Sequence, residues 1–146
     1  MRAYFDICAL KRPFDEQAQP RIRLKADAVL ELLAAAPERL TFVHAVAQDL
    51  ENAQNPLVWR SARVAEWLAA LPRTETKAGD LARRTGELMN LGFRNFDAFH
   101  VACAELAAAD VVATTDDRLL AFGRRHAGLL RVRVVDVVTL AQEVFR

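Results

Sequence analysis

The chain has 146 residues and a net charge of +1, with 53% hydrophobic residues, 27% charged residues, 5 Gly and 5 Pro. That length supports one domain, residues 1–146, with a full core, and the composition excludes a disordered chain or a collagen-like repeat. No apolar run reaches the roughly 18 residues of a membrane span, and Asp6 interrupts the N-terminus where a signal peptide needs apolar residues, so a soluble, cytoplasmic protein with no membrane partner is expected.

The first segment, Arg2-Ala3-Tyr4-Phe5, reads as a short strand that stops at Asp6, with a turn through Lys11-Arg12-Pro13. Apolar residues at helical spacing predict a helix over 21–36, ended by Pro37. Residues 40–43 read as a second strand, and 45–52 as a helix without a breaker. Asn55-Pro56 marks a turn and a helix start. A strongly apolar helix over 57–71 is closed by Pro72, and another over 76–91 is closed by Gly92 as its C-cap. An Ala-rich helix over 97–109 leads into a third strand, 111–114. A short helix over 116–122 ends at Gly123, a fourth strand covers 130–135, and a last helix covers 139–145.

Short apolar strands alternating with helices predict an α/β fold: a three-layer sandwich with a central parallel sheet of four or five short strands flanked by helices. In open parallel sheets, ligands bind beyond the carboxyl ends of the strands. Acids fall there from four segments. Asp6 follows the first strand, Asp49 lies in the helix after the second, Asp97 opens the helix before the third, and Asp116 and Asp117 follow the third. Taken singly, each has a structural explanation: Asp97 and Asp116 suit helix N-caps, and Asp49 suits a solvated helix face. Taken together, clustered carboxylates repel one another, and a hard divalent cation resolves the repulsion. Such a site suits attack of water on a phosphodiester.

Other chemistry has less support. The basic residues are 17 Arg and 3 Lys, a bias that GC-rich coding explains, and the near-zero net charge gives no global grip on nucleic acid. Cys8 and Cys103 form no CxxC, and His44, His100 and His126 are too scattered for zinc. His100 and Cys103 read as helix-packing residues. Arg12 and Arg94, in loops near Asp6 and Asp97, suit a solvated loop or an ion pair with a neighbouring acid, and are also candidates for phosphate contacts. A phosphatase with an Asp nucleophile is disfavoured because Cys8 stands where its second Asp belongs. A phosphorelay receiver is disfavoured because Lys11, Lys25 and Lys77 are not placed for it.

The segments Tyr4-Phe5-Asp6-Ile7-Cys8-Ala9-Leu10, Asp49-Leu50-Glu51, Asn95-Phe96-Asp97-Ala98-Phe99-His100-Val101-Ala102-Cys103-Ala104 and Val111-Val112-Ala113-Thr114-Thr115-Asp116-Asp117-Arg118-Leu119 resemble, in order and spacing, the PIN-domain nucleases, which include the VapC-type ribonuclease toxins. The resemblance spans essentially the whole chain, and its third and fourth segments are the most specific. It implies a PIN-like sandwich and a divalent-metal-dependent endoribonuclease using Mg2+ or Mn2+. Asp6, Asp97 and Asp116 then correspond to metal-binding acids. Asp49 corresponds to the second acid, more often Glu in the family, with its metal contact running through water. The same motif selects Asp49 over Glu51 and Asp116 over Asp117, with Leu50 expected to be buried. Thr114 is the hydroxyl expected to support the fourth acid. Ile7 departs from the family, where a Thr or Ser often follows the first acid. The partners implied are RNA, an antitoxin protein if the chain is one of the toxins, and a second copy in a homodimer; the apolar helices over 57–71 and 76–91 suit such an interface and equally suit covering the sheet or each other. The alternative is a catalytically weak or inactive PIN-like module that binds nucleic acid or regulates.

Overall fold

The computed structural model describes residues 1–146. Four strands, β1 (Arg2–Phe5), β2 (Thr41–Phe42), β3 (Val111–Thr114) and β4 (Arg133–Asp136), form one parallel sheet in the order β2-β1-β3-β4. Eight helices flank it: α1 (Ile7–Leu10), α2 (Pro20–Leu33), α3 (Val46–Ala53), α4 (Val58–Ala69), α5 (Ala78–Asn90), α6 (Asn95–Leu106), α7 (Asp117–Arg125) and α8 (Val137–Val144).

The period of two in the strands builds two cores. Tyr4, Val112 and Val134 point to one face, where α3, α5, α6 and α7 supply Ala47, Leu88, Val101 and Leu119. Ala3, Phe5, Val111, Ala113 and Val135 point to the other, against α2, α4 and α8 through Val29, Leu68 and Leu140. Alternation between two buried faces is what a strand in the middle layer of a three-layer sandwich requires. No helix is long and apolar enough to cross a membrane.

Several element boundaries differ from those expected. The segment after Asp6 forms a short helix, α1, and a single 3-10 turn over Arg12–Phe14, where only a turn was anticipated. Asp6 causes this locally, its side chain accepting a hydrogen bond from the Ala9 amide at 2.8 Å. The first long helix starts at Pro20 and stops at Leu33, before Pro37 has any influence. The C-cap of α5 is Leu91, and Gly92, expected in that place, follows it with a φ of 109° that favours glycine. Gly123, by contrast, does not end its helix: α7 runs through it to Arg125. The glycine is there for close packing, since a Cβ would stand 2.5 Å from that of Val134 on β4. Strand β4 begins three residues later than expected, at Arg133, and passes directly into α8 at Val137, whose N-cap is Asp136.

Candidate active site

Parallel pairing puts the carboxyl ends of β1 and β3 side by side, Phe5 in register with Ala113. Asp6 and Asp116 emerge there. Helix α6 brings Asp97, in its first turn after the N-cap residue Arg94. Helix α3 brings Glu51. Asp6, Glu51, Asp97 and Asp116 line a single cavity of about 530 Å3, together with Cys8, Arg94, Asn95 and Phe96.

Three of the four expected acids are therefore brought together, and the fourth is replaced. Asp49 does not line the cavity; it is held by His44 Nε2 at 2.8 Å and by the Arg73 guanidinium at 3.2 Å. The cause lies in how α3 is anchored. Gln48 is fully buried; its amide donates to the Phe5 carbonyl at 2.7 Å and its oxygen accepts from the Ala45 amide at 2.9 Å. Asn52, one turn on, is also buried and pairs with Ser61. With about 100° per residue, position 51 falls about 60° from position 48 on one side, and position 49 about 100° away on the other. The buried 48/52 stripe puts the two acids on opposite flanks of α3: Glu51 on the flank that meets His100 of α6 and the cavity, Asp49 on the flank that meets His44 and Arg73. Leu50, expected inside, is half exposed. The sequence holds no local signal that chooses between Asp49 and Glu51, because the two lie symmetrically about the buried 48/52 stripe.

The carboxylates are held by a small hydrogen-bond scaffold. Thr114, fully buried, donates its hydroxyl to Asp6 Oδ2 at 2.5 Å and accepts from the Asp116 amide at 2.9 Å. It was expected beside the fourth acid, and it holds the first as well. Asp116 also caps α7 through the Arg118 amide. Asp117 faces away, paired with Arg21 and Lys25, and the bond from Arg21 holds its carboxyl below the usual range. On the other side, the buried Tyr4 hydroxyl meets His100 Nδ1 at 2.5 Å, and His100 Nε2 meets Glu51 Oε1 at 3.1 Å. With a proton on Nε2, His100 donates to Glu51 and meets the Tyr4 hydroxyl through Nδ1. His100 thus packs in the core, as expected, and reaches the site too.

Burial dominates the electrostatics. Desolvation pushes the Asp6 carboxyl up to about 6, against the lowering pull of His100 and the Thr114 hydrogen bond. Asp97 is raised first by burial, then by the charge of Asp116. Cys8, on the cavity wall, is pushed up to about 12 by burial, so it is a thiol there and not a nucleophile. Of the two arginines, Arg94 lines the cavity and makes no ion pair or side-chain hydrogen bond. Arg12 does not line it. Its guanidinium is taken up by Asp15 at 3.2 Å and by the Thr115 hydroxyl at 3.0 Å, which fasten the 3-10 turn to the end of β3.

By donor chemistry, four carboxylates with raised or mutually repelling charges fit a hard divalent cation. By present spacing, no three His, Cys, Asp or Glu side chains stand as a group that could hold a metal ion. The acids share a cavity without forming a closed ligand shell.

The fold and the acidic cavity at the sheet edge define a three-layer α/β protein of the open parallel-sheet class. Within that class, the chain is similar to a solved structure, "Crystal structure of PAE2754 from Pyrobaculum aerophilum", at 18% sequence identity and a TM-score of 0.54, over 99% of this chain and 90% of that one. At that identity the likeness shows the fold alone. No family model matches the chain. No curated protein matches it either.

Proposed function

We propose that the chain is a divalent-metal-dependent endoribonuclease of the PIN type, hydrolysing RNA phosphodiester bonds at the cavity lined by Asp6, Glu51, Asp97 and Asp116. The observation that carries this reading is the meeting of four acids, from four separate segments, at the carboxyl edge of a parallel sheet. The sequence resemblance to PIN nucleases supports it, with Glu51 in place of Asp49 as the second acid. In this reading the four carboxylates would hold Mg2+ or Mn2+, which when bound supplies positive charge opposite a phosphodiester under attack. Thr114 keeps Asp6 and Asp116 at a fixed separation. Tyr4 and His100 keep Glu51 aimed at the cavity. Arg94, the unpaired cation on the wall, meets a phosphate oxygen. A toxin with an antitoxin partner, acting in the cytoplasm, is the narrower form of the same reading.

The second reading, a PIN-like module that binds RNA without cutting it, is favoured by one observation, the missing ligand shell. Incubating the protein with single-stranded and structured RNA, in Mg2+ or Mn2+ and in EDTA, separates the two. Cleavage that needs the metal and is lost in Asp97→Asn supports the ribonuclease. Cleavage that persists in EDTA refutes the metal mechanism, and binding without cleavage across many RNAs favours the module.

A further inference from the structure

Beside the acid cavity lies a larger groove of about 790 Å3 between α3, α5 and α6. The two share a wall made of Asn95 and Phe96. The groove is floored by Leu50, Met89, Phe96 and Phe99, with Leu50 50% and Met89 43% exposed and the two phenyl rings 6.5 Å apart at 37°. Around this floor stand Gln54, Thr85 and Asn95, whose side chains make no hydrogen bond in the fold; the Thr85 hydroxyl is buried from water as well. Gly86, in the middle of α5, also lines the groove, and a Cβ there would meet nothing within 4 Å. A glycine inside a helix costs stability relative to alanine, and here the missing side chain keeps the groove open.

We infer that this groove receives one base of a single-stranded RNA whose phosphodiester lies at the acids, an inference that rests on the ribonuclease reading. A nucleotide next to the scissile bond must pass the shared Asn95–Phe96 wall. A base offers a flat face for the aromatic and aliphatic floor and a polar edge for the idle amides and hydroxyl. An apolar protein surface seated in the groove would leave those same groups buried and unpaired, which is costly. The polar complement thus selects a base over a second copy of the chain.

The test uses the Asp97→Asn protein in Mg2+, which leaves RNA intact. Fluorescence anisotropy reads its binding to a labelled single-stranded hexaribonucleotide and to six versions with one abasic ribose each. One abasic position is expected to weaken binding about tenfold, the size of a lost stacked base. Gly86→Leu, added to the same protein, is expected to weaken binding of the intact RNA to a similar extent and to cost nothing further with that abasic RNA. Thr85→Val, which keeps shape and removes only the hydroxyl, shows a smaller loss with the same coupling and carries the test if Gly86→Leu does not fold. Binding indifferent to every abasic position, or to both substitutions, overturns the proposal. So does a change of sedimentation state in Gly86→Leu with RNA binding unchanged, which would make the groove a face between copies. Cleavage by the wild-type protein is scored separately. Cutting without base dependence overturns the groove alone, and base-coupled binding without cutting supports the groove while overturning the ribonuclease.

Discussion

The hydroxyl of Thr114 and the carboxylate of Asp6 meet at 2.5 Å across the seam between β3 and the end of β1, with Thr114 fully buried and Asp6 nearly so at the cavity wall. Both residues contribute to the fold and to the cavity. Thr114→Val keeps the shape and removes the donor. The buried carboxylate then loses its hydrogen bond, at a cost of about 1–3 kcal/mol. Urea denaturation of the two proteins measures it, and equal midpoints would show that the bond is worth nothing.

Asp6 also sets a pH dependence. Its carboxyl titrates at about 6 in the fold and at 3.8 when solvated. Unfolding therefore releases a proton between those values, and stability falls as pH rises through the window, reaching a full loss of about 3 kcal/mol above it. Asp97, raised as well, acts in the same direction. Asp6→Asn should melt higher than wild type at pH 7.5 without metal and show a flatter slope from pH 4 to 7. Parallel slopes in the two proteins would remove Asp6 as the cause.

Glu51 and Asp49 separate function from stability. If the proposed ribonuclease reading holds, Glu51→Gln should lower RNA cleavage on the order of a hundredfold, with little change in melting. Asp49→Asn should leave cleavage nearly intact while loosening the ties to His44 and Arg73. Paired activity and melting measurements decide it, and the reverse ranking would mean that the face α3 turns to the cavity is wrong.

On the proposed metal-dependent reading, a cation held by the four acids would stabilise the fold by mass action, about 2.7 kcal/mol at 100 times its Kd. For a domain of this size that raises the melting temperature by on the order of 5–10 °C. Asp97→Asn should gain less from millimolar Mg2+ or Mn2+ than wild type, each measured against EDTA. Equal gains would place the ion elsewhere.

Gly123→Ala tests the packing of α7 on β4. The added methyl would overlap the stiff Val134 side chain. Forcing them apart should cost about 1–3 kcal/mol despite the better helix propensity of alanine. A stabilised variant would show that the strand gives way freely.

The sequence carried the layer architecture well, because two-sided burial writes itself as short continuous apolar runs such as Val111–Ala113. It carried Asp6, Asp97 and Asp116 to the cavity because strand ends and a helix start fix where those residues point. It did not carry the second acid, since a helix face is set by tertiary anchoring, here the bond from Gln48 to the Phe5 carbonyl. Arg12 takes the ion pair with a neighbouring acid that its loop position allowed, through Asp15, but its bond to Thr115, 103 residues away, was beyond the reach of local pattern. Gly123 was misread for a related reason, because a glycine that admits a neighbouring strand looks in sequence like one that ends a helix.

The register of β1 against β3 has a consequence for synthesis. Ala3 pairs with Val111, and Asp6 and Thr114 are 108 residues apart. Strand β1 waits until synthesis has reached Val111 before its central neighbour exists. Contacts this distant close late and slowly. A nascent chain or a fragment that stops before Val111 holds Asp6, Glu51 and Asp97 but lacks the strand that sets Asp6 against Thr114, so the cavity assembles only once β3 has been made.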